Sequence, residues 1–175
     1  YYMHSKISQF IKKRKSLTNI QVIVEKQPLG TAGSISLLKK ENFKTLTVLN
    51  GDIVSDINLE ALENFHQEKG NDITISVAKF SYKVPFGVVS FDSKFNYKSL
   101  EEKPNLNTFI LSGIYCLSKS VCNIVQQEFS DMPDLINLAQ KLGFKIGIFP
   151  IYEYWNDIGT PKKFNSERKR HVKKT

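Results

Sequence analysis

The chain has 175 residues, a length that suits one compact domain, and its 41% hydrophobic and 11% aromatic content supports a packed core. No stretch approaches the ~20 uninterrupted apolar residues of a membrane span, no signal-peptide pattern is visible, and the two cysteines, Cys116 and Cys122, fit neither a metal-ligand spacing nor a disulfide framework. Much of the formal net charge of +8 gathers in Lys162, Lys163, Arg168, Lys169, Arg170, Lys173 and Lys174, which reads as a solvated terminal helix and tail over residues 162–175 rather than a nucleic-acid footprint.

In chain order, residues 5–15 form an amphipathic helix and the β-branched run 20–25 a strand. A turn at Pro28-Leu29-Gly30 leads into a helix over about 32–40. Leu46-Thr47-Val48-Leu49 is a continuous apolar run, as expected of a strand buried on both faces, and Gly51-Asp52 ends it. Asn58 caps a helix that carries Leu59, Leu62 and Phe65 on one side. Residues 73–80 are a second buried strand. Residues 86–91 and 97–101 form an antiparallel pair joined at Asp92-Ser93-Lys94, and 109–117 is a further strand. Asp131 caps a helix burying Leu135, Leu138 and Leu142, and Gly143 stops it. A strand at 144–149, an extended piece at 152–155 and a last helix from Pro161 complete the chain. Strands alternating with helices, followed by a hairpin-like middle, predict one α/β domain. Its architecture is a three-layer, Rossmann-like sheet, mixed but mostly parallel, with an antiparallel addition. Both cysteines are expected to pack as small apolar groups in a reducing cytoplasm.

Four segments are candidates for chemistry. Residues 25–34, with Gly30 and Gly33, bring a strand, a turn and a helix start together. Such a junction offers close backbone approach and unpaired N–H groups to an anion, or is an ordinary strand-to-helix turn. It is not a P-loop, because the Gly-Lys-Ser/Thr ending is missing. Asp52 ends an apolar strand, where a carboxylate suits Mg²⁺ or serves as a cap. Phe86-Gly87-Val88-Val89 with Leu100-Glu101-Glu102-Lys103-Pro104 places a carboxylate beside an ammonium, able to read hydroxyls and phosphate or simply to solvate a hairpin end. Trp155-Asn156-Asp157-Ile158-Gly159-Thr160-Pro161 again puts an acid before a glycine turn, a second ligand or an Asx-type turn. His4, His66 and His171 have no metal-like spacing, and no nucleophile elbow is present.

Taken together and in order, these segments, with Ser112-Gly113-Ile114-Tyr115, resemble the sugar-phosphate nucleotidylyltransferase family, including mannose-1-phosphate guanylyltransferases and glucose-1-phosphate thymidylyltransferases. The resemblance runs from about Tyr2 to Phe164 and implies a GT-A-like fold, cytoplasmic localisation and a nucleotide-sugar-forming enzyme acting on an NTP and a sugar 1-phosphate. It implies that Gly30, with Pro28 and nearby backbone, faces the base, with Glu25 at its edge. Asp52 and Asp157 would hold Mg²⁺ between phosphates. Gly87, Glu102 and Lys103 would hold the sugar phosphate, with Leu111 near the sugar; Asp52, Lys103 and Asp157 would be the catalytic set. A carboxylate at Glu25 matches the N1–H and N2–H donors of guanine, which favours GTP. Leu111-Ser112 stands where many relatives carry Asn-Ala, so the sugar is not specified. The family's glycine-rich, Arg-containing opening loop has no counterpart before Ser5. The chain is therefore expected to be an inactive fragment of an active enzyme, the alternative being a non-catalytic regulatory or binding subunit. Neither a nucleic acid nor a membrane is an expected partner, and a homo-oligomer is compatible with this reading.

Overall fold

A computed structural model describes residues 3–13 and 20–172. The elements are α1 (His4–Lys13), α2 (Gly30–Gly33) running into a 3-10 turn (Ser34–Leu38), β1 (Thr45–Leu49), β2 (Ile53–Ser55), α3 (Leu59–Glu68), β3 (Ile73–Lys83), β4 (Gly87–Phe91) and β5 (Tyr97–Glu102), followed by β6 (Asn105–Ser118), α4 (Lys119–Ile124), α5 (Met132–Lys141), β7 (Ile146–Ile151), β8 (Trp155–Asp157) and α6 (Pro161–Val172). The main sheet has the order β1-β6-β3-β7. β6 is antiparallel to both β1 and β3, and β3 is parallel to β7. Three strands thus point one way while the long β6 runs against them, which gathers the carboxyl ends of β1, β3 and β7 and the amino half of β6 at one end.

The period of two along β6 builds the layers. Tyr115 and Leu117 enter a core with Ala32, Ile35, Val121, Met132, Leu135 and Ala139, on the side of α2, α4 and α5. Ile114 and Cys116 enter a second core with Leu62 of α3, Ile151 and the flanking Trp155. The sheet is mixed and has helices on both faces. Both cysteines are buried, and burial pushes the Cys122 thiol up to about 11, as expected of packing groups.

Local signals place several elements where the sequence predicts them. Asn58 Oδ1 accepts from Ala61 N at 3.0 Å to start α3, and Gly143 follows α5 at φ +80. The β4–β5 hairpin is closed by Asp92, whose Oδ1 accepts from Lys94 N at 2.8 Å and Asn96 N at 2.9 Å. Other expectations fail for reasons of pairing and burial. Residues 20–25 belong to no strand among the described residues, and Ile20, Val22, Ile23 and Val24 stay exposed. β-branched residues favour extension, yet a strand needs a neighbour for its N–H and C=O groups. β1 is half-buried rather than buried on both faces, because among the described residues only β6 pairs with it. Leu138 and Leu142 are exposed, so α5 buries Met132, Leu135 and Ala139 instead. β2 and α4 are too short to leave a periodic signal. The end of the first predicted helix, residues 14–15, and the tail residues Lys173 and Lys174 lie outside the described residues.

Candidate functional site

Asp52 follows β1 through the Asn50-Gly51 turn, and Asn50 N donates to Gly113 O at 2.9 Å, tying the turn to β6. Gly113 sits at φ +76, and a Cβ there would meet Asn50 Nδ2 at 2.8 Å, so both backbone and space disfavour a side chain. β2 then pairs antiparallel with β8, with Ile53 opposite Asp157, and Ile158 N donates to Asp52 O at 2.8 Å. This ladder sets Asp52 and Asp157 side by side. A Cβ on Gly159 would lie 3.1 Å from Asp157 Oδ1 and 3.1 Å from Asp52 Oδ2, so the two oxygens border one spot that only glycine leaves open.

Asp157 is oriented from two sides. Gly159 N donates to its Oδ1 at 2.8 Å and Lys163 Nζ to its Oδ2 at 2.9 Å. The Gly159 N–H, then the Lys163 ammonium, hold its carboxyl below the usual carboxylate range. β8 itself is anchored on both faces. Trp155 Nε1 donates to Ser112 O at 2.8 Å. On the other face, the Tyr154 hydroxyl and Asn156 Nδ2 donate to Glu167 Oε2, and Arg170 Nη1 donates to Glu167 Oε1 at 2.8 Å. The Arg170 guanidinium stacks 3.2 Å from the Tyr154 ring centre and also reaches Asp56. Glu167 is buried, and the Tyr154 hydroxyl, aided by Asn156 and Arg170, pushes its carboxyl down to about 2. The basic helix α6 is therefore docked against β8 through Glu167 and Arg170 rather than merely solvated.

A cavity of about 540 Å³ lined by Thr31, Ser34, Val48, Leu49, Asn50, Gly51 and Asp52 opens above β1. It adjoins, through Ser34 and Val48, a cavity of about 230 Å³ that includes Glu25. Glu25, Gln27 and Leu29 line a further one of about 370 Å³. Glu25 and Asp52 therefore line adjacent cavities that share Ser34 and Val48, and Pro28 is exposed. Gly30 has φ +74, and a Cβ there would meet Asp131 Oδ1 at 2.9 Å. The N–H groups after it are not free for an anion. Thr31 N donates to Asp131 Oδ1 at 3.0 Å, and Ala32 N and Gly33 N donate to Ser130 O at 2.9 and 3.1 Å. Of the two readings of this junction, the N–H groups favour the ordinary turn, since the loop before α5 satisfies them internally.

The hairpin forms a separate group. Gly87 pairs with Glu102, and a Cβ on Gly87 would lie 3.0 Å from Glu102 Oε2. Lys103, at φ +47, places Nζ 3.6 Å from Glu102 Oε1, both side chains exposed. Leu111 lies on β6 opposite Val77 and is 44% exposed, next to the Ser112 carbonyl that holds Trp155. Among the described residues no hydrogen bond or ion pair links Glu102 or Lys103 to Asp52 or Asp157.

Sequence reasoning missed Lys163, Ser112 as the anchor of β8, and the role of Gly159. Only Gly159 had a local signal, a residue without Cβ two places after an acid. Among the described residues no group of three or more His, Cys, Asp or Glu side chains is placed to hold a metal ion. The donor set at Gly159 is two carboxylates, which fits a hard cation completed by substrate oxygens and water.

Residues 2–173 match the family model described as nucleotidyl transferase, and the chain belongs to that family. Similar proteins include the mannose-1-phosphate guanyltransferase of Pichia angusta, 34% identical over 164 residues that cover 85% of this chain and 43% of that protein. Mannose-1-phosphate guanyltransferase beta-A of Xenopus laevis is 29% identical over 93% of this chain and 48% of its own length. The chain spans about half the length of the curated relatives it matches. The crystal structure of HddC from Yersinia pseudotuberculosis has a TM-score of 0.72 at 24% identity, covering 98% of this chain and 75% of that one, and shares the fold. No helix among the described residues is long and apolar enough to cross a membrane.

Proposed function

We propose that this chain forms most of the catalytic domain of an enzyme that joins an NTP, with GTP favoured, to a sugar 1-phosphate, forming an NDP-sugar and pyrophosphate. The observation that carries this is the meeting of Asp52 and Asp157 around Gly159, with Asp52 lining a cavity that adjoins the one lined by Glu25. A phosphate oxygen of the sugar 1-phosphate attacks the α-phosphorus in line. It is anionic at neutral pH, so no general base is required, and the work lies in positioning and charge neutralisation. Asp52 and Asp157 would hold Mg²⁺, which when bound screens the repulsion between phosphate groups. Glu25 accepts from the base edge, with Pro28 and Gly30 against the base. The Lys103 ammonium holds the phosphate of the nucleophile, Glu102 accepts from sugar hydroxyls, Gly87 leaves room for them, and Leu111 lines the sugar's apolar side.

The relatives named mannose-1-phosphate guanyltransferase support the choice of guanine. The test uses the full-length protein with each of the four NTPs and a panel of sugar 1-phosphates. GTP is expected to give the fastest product formation, and Asp52→Ala or Asp157→Ala to abolish it. A clear preference for UTP or dTTP removes the assignment of Glu25; near-normal kcat in either Asp variant removes the metal pair.

A further inference from the structure

We propose that Lys163 is a tethered counter-cation that competes with the divalent ion for Asp157 and so sets how tightly the site holds metal, which rests on the reading of Asp52 and Asp157 as the metal pair. Both oxygens of Asp157 already have partners: Oδ1 accepts from Gly159 N, and Oδ2 lies 2.9 Å from Lys163 Nζ. The ammonium comes from an awkward place. Lys163 N donates to Thr160 Oγ1 at 3.3 Å, so Thr160 caps α6 and Lys163 stands in its first turn, which contains no acidic residue. A cation there opposes the positive end of the helix dipole. Helix stability therefore does not explain the residue, whereas attraction to Asp157 does. The two side chains are 49% and 40% exposed, so water screens the pair and it can open and close.

With no metal bound, Lys163 keeps Asp157 turned and its charge balanced. An arriving cation meets an ammonium on the same carboxylate and binds more weakly than it would to two free acids. A cation that arrives with phosphate brings its own compensating negative charge. The site is thereby biased against the free ion and towards the ion carried by a nucleotide.

Mn²⁺ is the probe, titrated into the full chain without nucleotide while the signal of the free ion is followed by electron paramagnetic resonance. Lys163→Met is expected to tighten Mn²⁺ binding about two- to fivefold, the size of a screened ion pair. Lys163→Arg, which keeps the charge, should bind as the wild type does. Lys162→Met, which removes one charge from the same turn, should change the affinity by less than half as much. Unchanged or weaker binding in Lys163→Met, or equal tightening in Lys162→Met, overturns the role of Lys163. Asp157→Asn serves as the separate check on the metal pair. Loss of Mn²⁺ binding there is expected, and unchanged binding means that the ion is held elsewhere, which removes both the pair and the competition.

Discussion

Replacing Gly159 by alanine separates folding from metal binding. The new methyl carbon would sit 3.1 Å from Asp157 Oδ1 and 3.1 Å from Asp52 Oδ2, closer than ordinary contact, so the carboxylates must give way by a few tenths of an ångström. It also fills the spot between them. Gly159 does not occupy the left-handed region, so alanine adds no backbone strain there. A glycine-to-alanine change at a compatible backbone site stabilises by about 0.4–1 kcal/mol through the unfolded chain, and the residue is exposed. For a chain of this size that corresponds to a Tm change of roughly +1 to +4 °C. Mg²⁺ and Mn²⁺ sites tolerate little displacement of their oxygens, and comparable disturbances around metal ligands cost about 10- to 100-fold in affinity. The expected result is a Tm within about 4 °C of wild type, the contact with the carboxylates offsetting the gain, with Mn²⁺ affinity reduced about tenfold or more. Thermal melts and Mn²⁺ titrations on one preparation measure both. Wild-type Mn²⁺ affinity with an unchanged Tm would show that the two acids do not share an ion at this spot.

Gly113→Ala should act on stability instead. Its φ of +76 costs a side chain about 1–2 kcal/mol, and the contact with Asn50 at 2.8 Å adds to this, so a Tm fall of roughly 4–8 °C is expected; a fall below 1 °C would mean that the Asn50 turn yields freely. Glu167→Gln tests the anchoring of β8 through pH. The Glu167 carboxyl is depressed to about 2, so its stabilisation is complete above the ordinary carboxylate value near 4.5 and is lost as pH falls towards 2. The Tm gap between wild type and variant should be largest at neutral pH and shrink below about pH 4.5. A gap constant from pH 7 to pH 2.5 would mean that the charge on Glu167 contributes nothing.

Local chemistry was readable wherever a few adjacent residues decide the outcome. Asn58 starts α3, Gly143 stops α5, and alternation around Asp92 makes the β4–β5 hairpin, because each depends on side chains within one turn of the chain. The residues bordering the site were legible as motifs for the same reason. Their meeting was implied by the family resemblance and by no local pattern. Asp52 and Asp157 come together through the β2–β8 ladder, and two strands of three residues leave no periodic trace. The Gly30–Gly33 helix start looks the same in sequence whether its N–H groups are free or bonded, and only the fold brings Ser130 and Asp131 to them. Residues 20–25 favour extension on their own, yet strand formation waits on a partner that no local pattern supplies. Lys163 belongs in sequence to a charged, solvated run, and only the packing of α6 on β8 turns its ammonium towards Asp157. Conformational preference belongs to the residue and its neighbours; hydrogen-bond and charge partners distant in the chain are chosen only when the layers close.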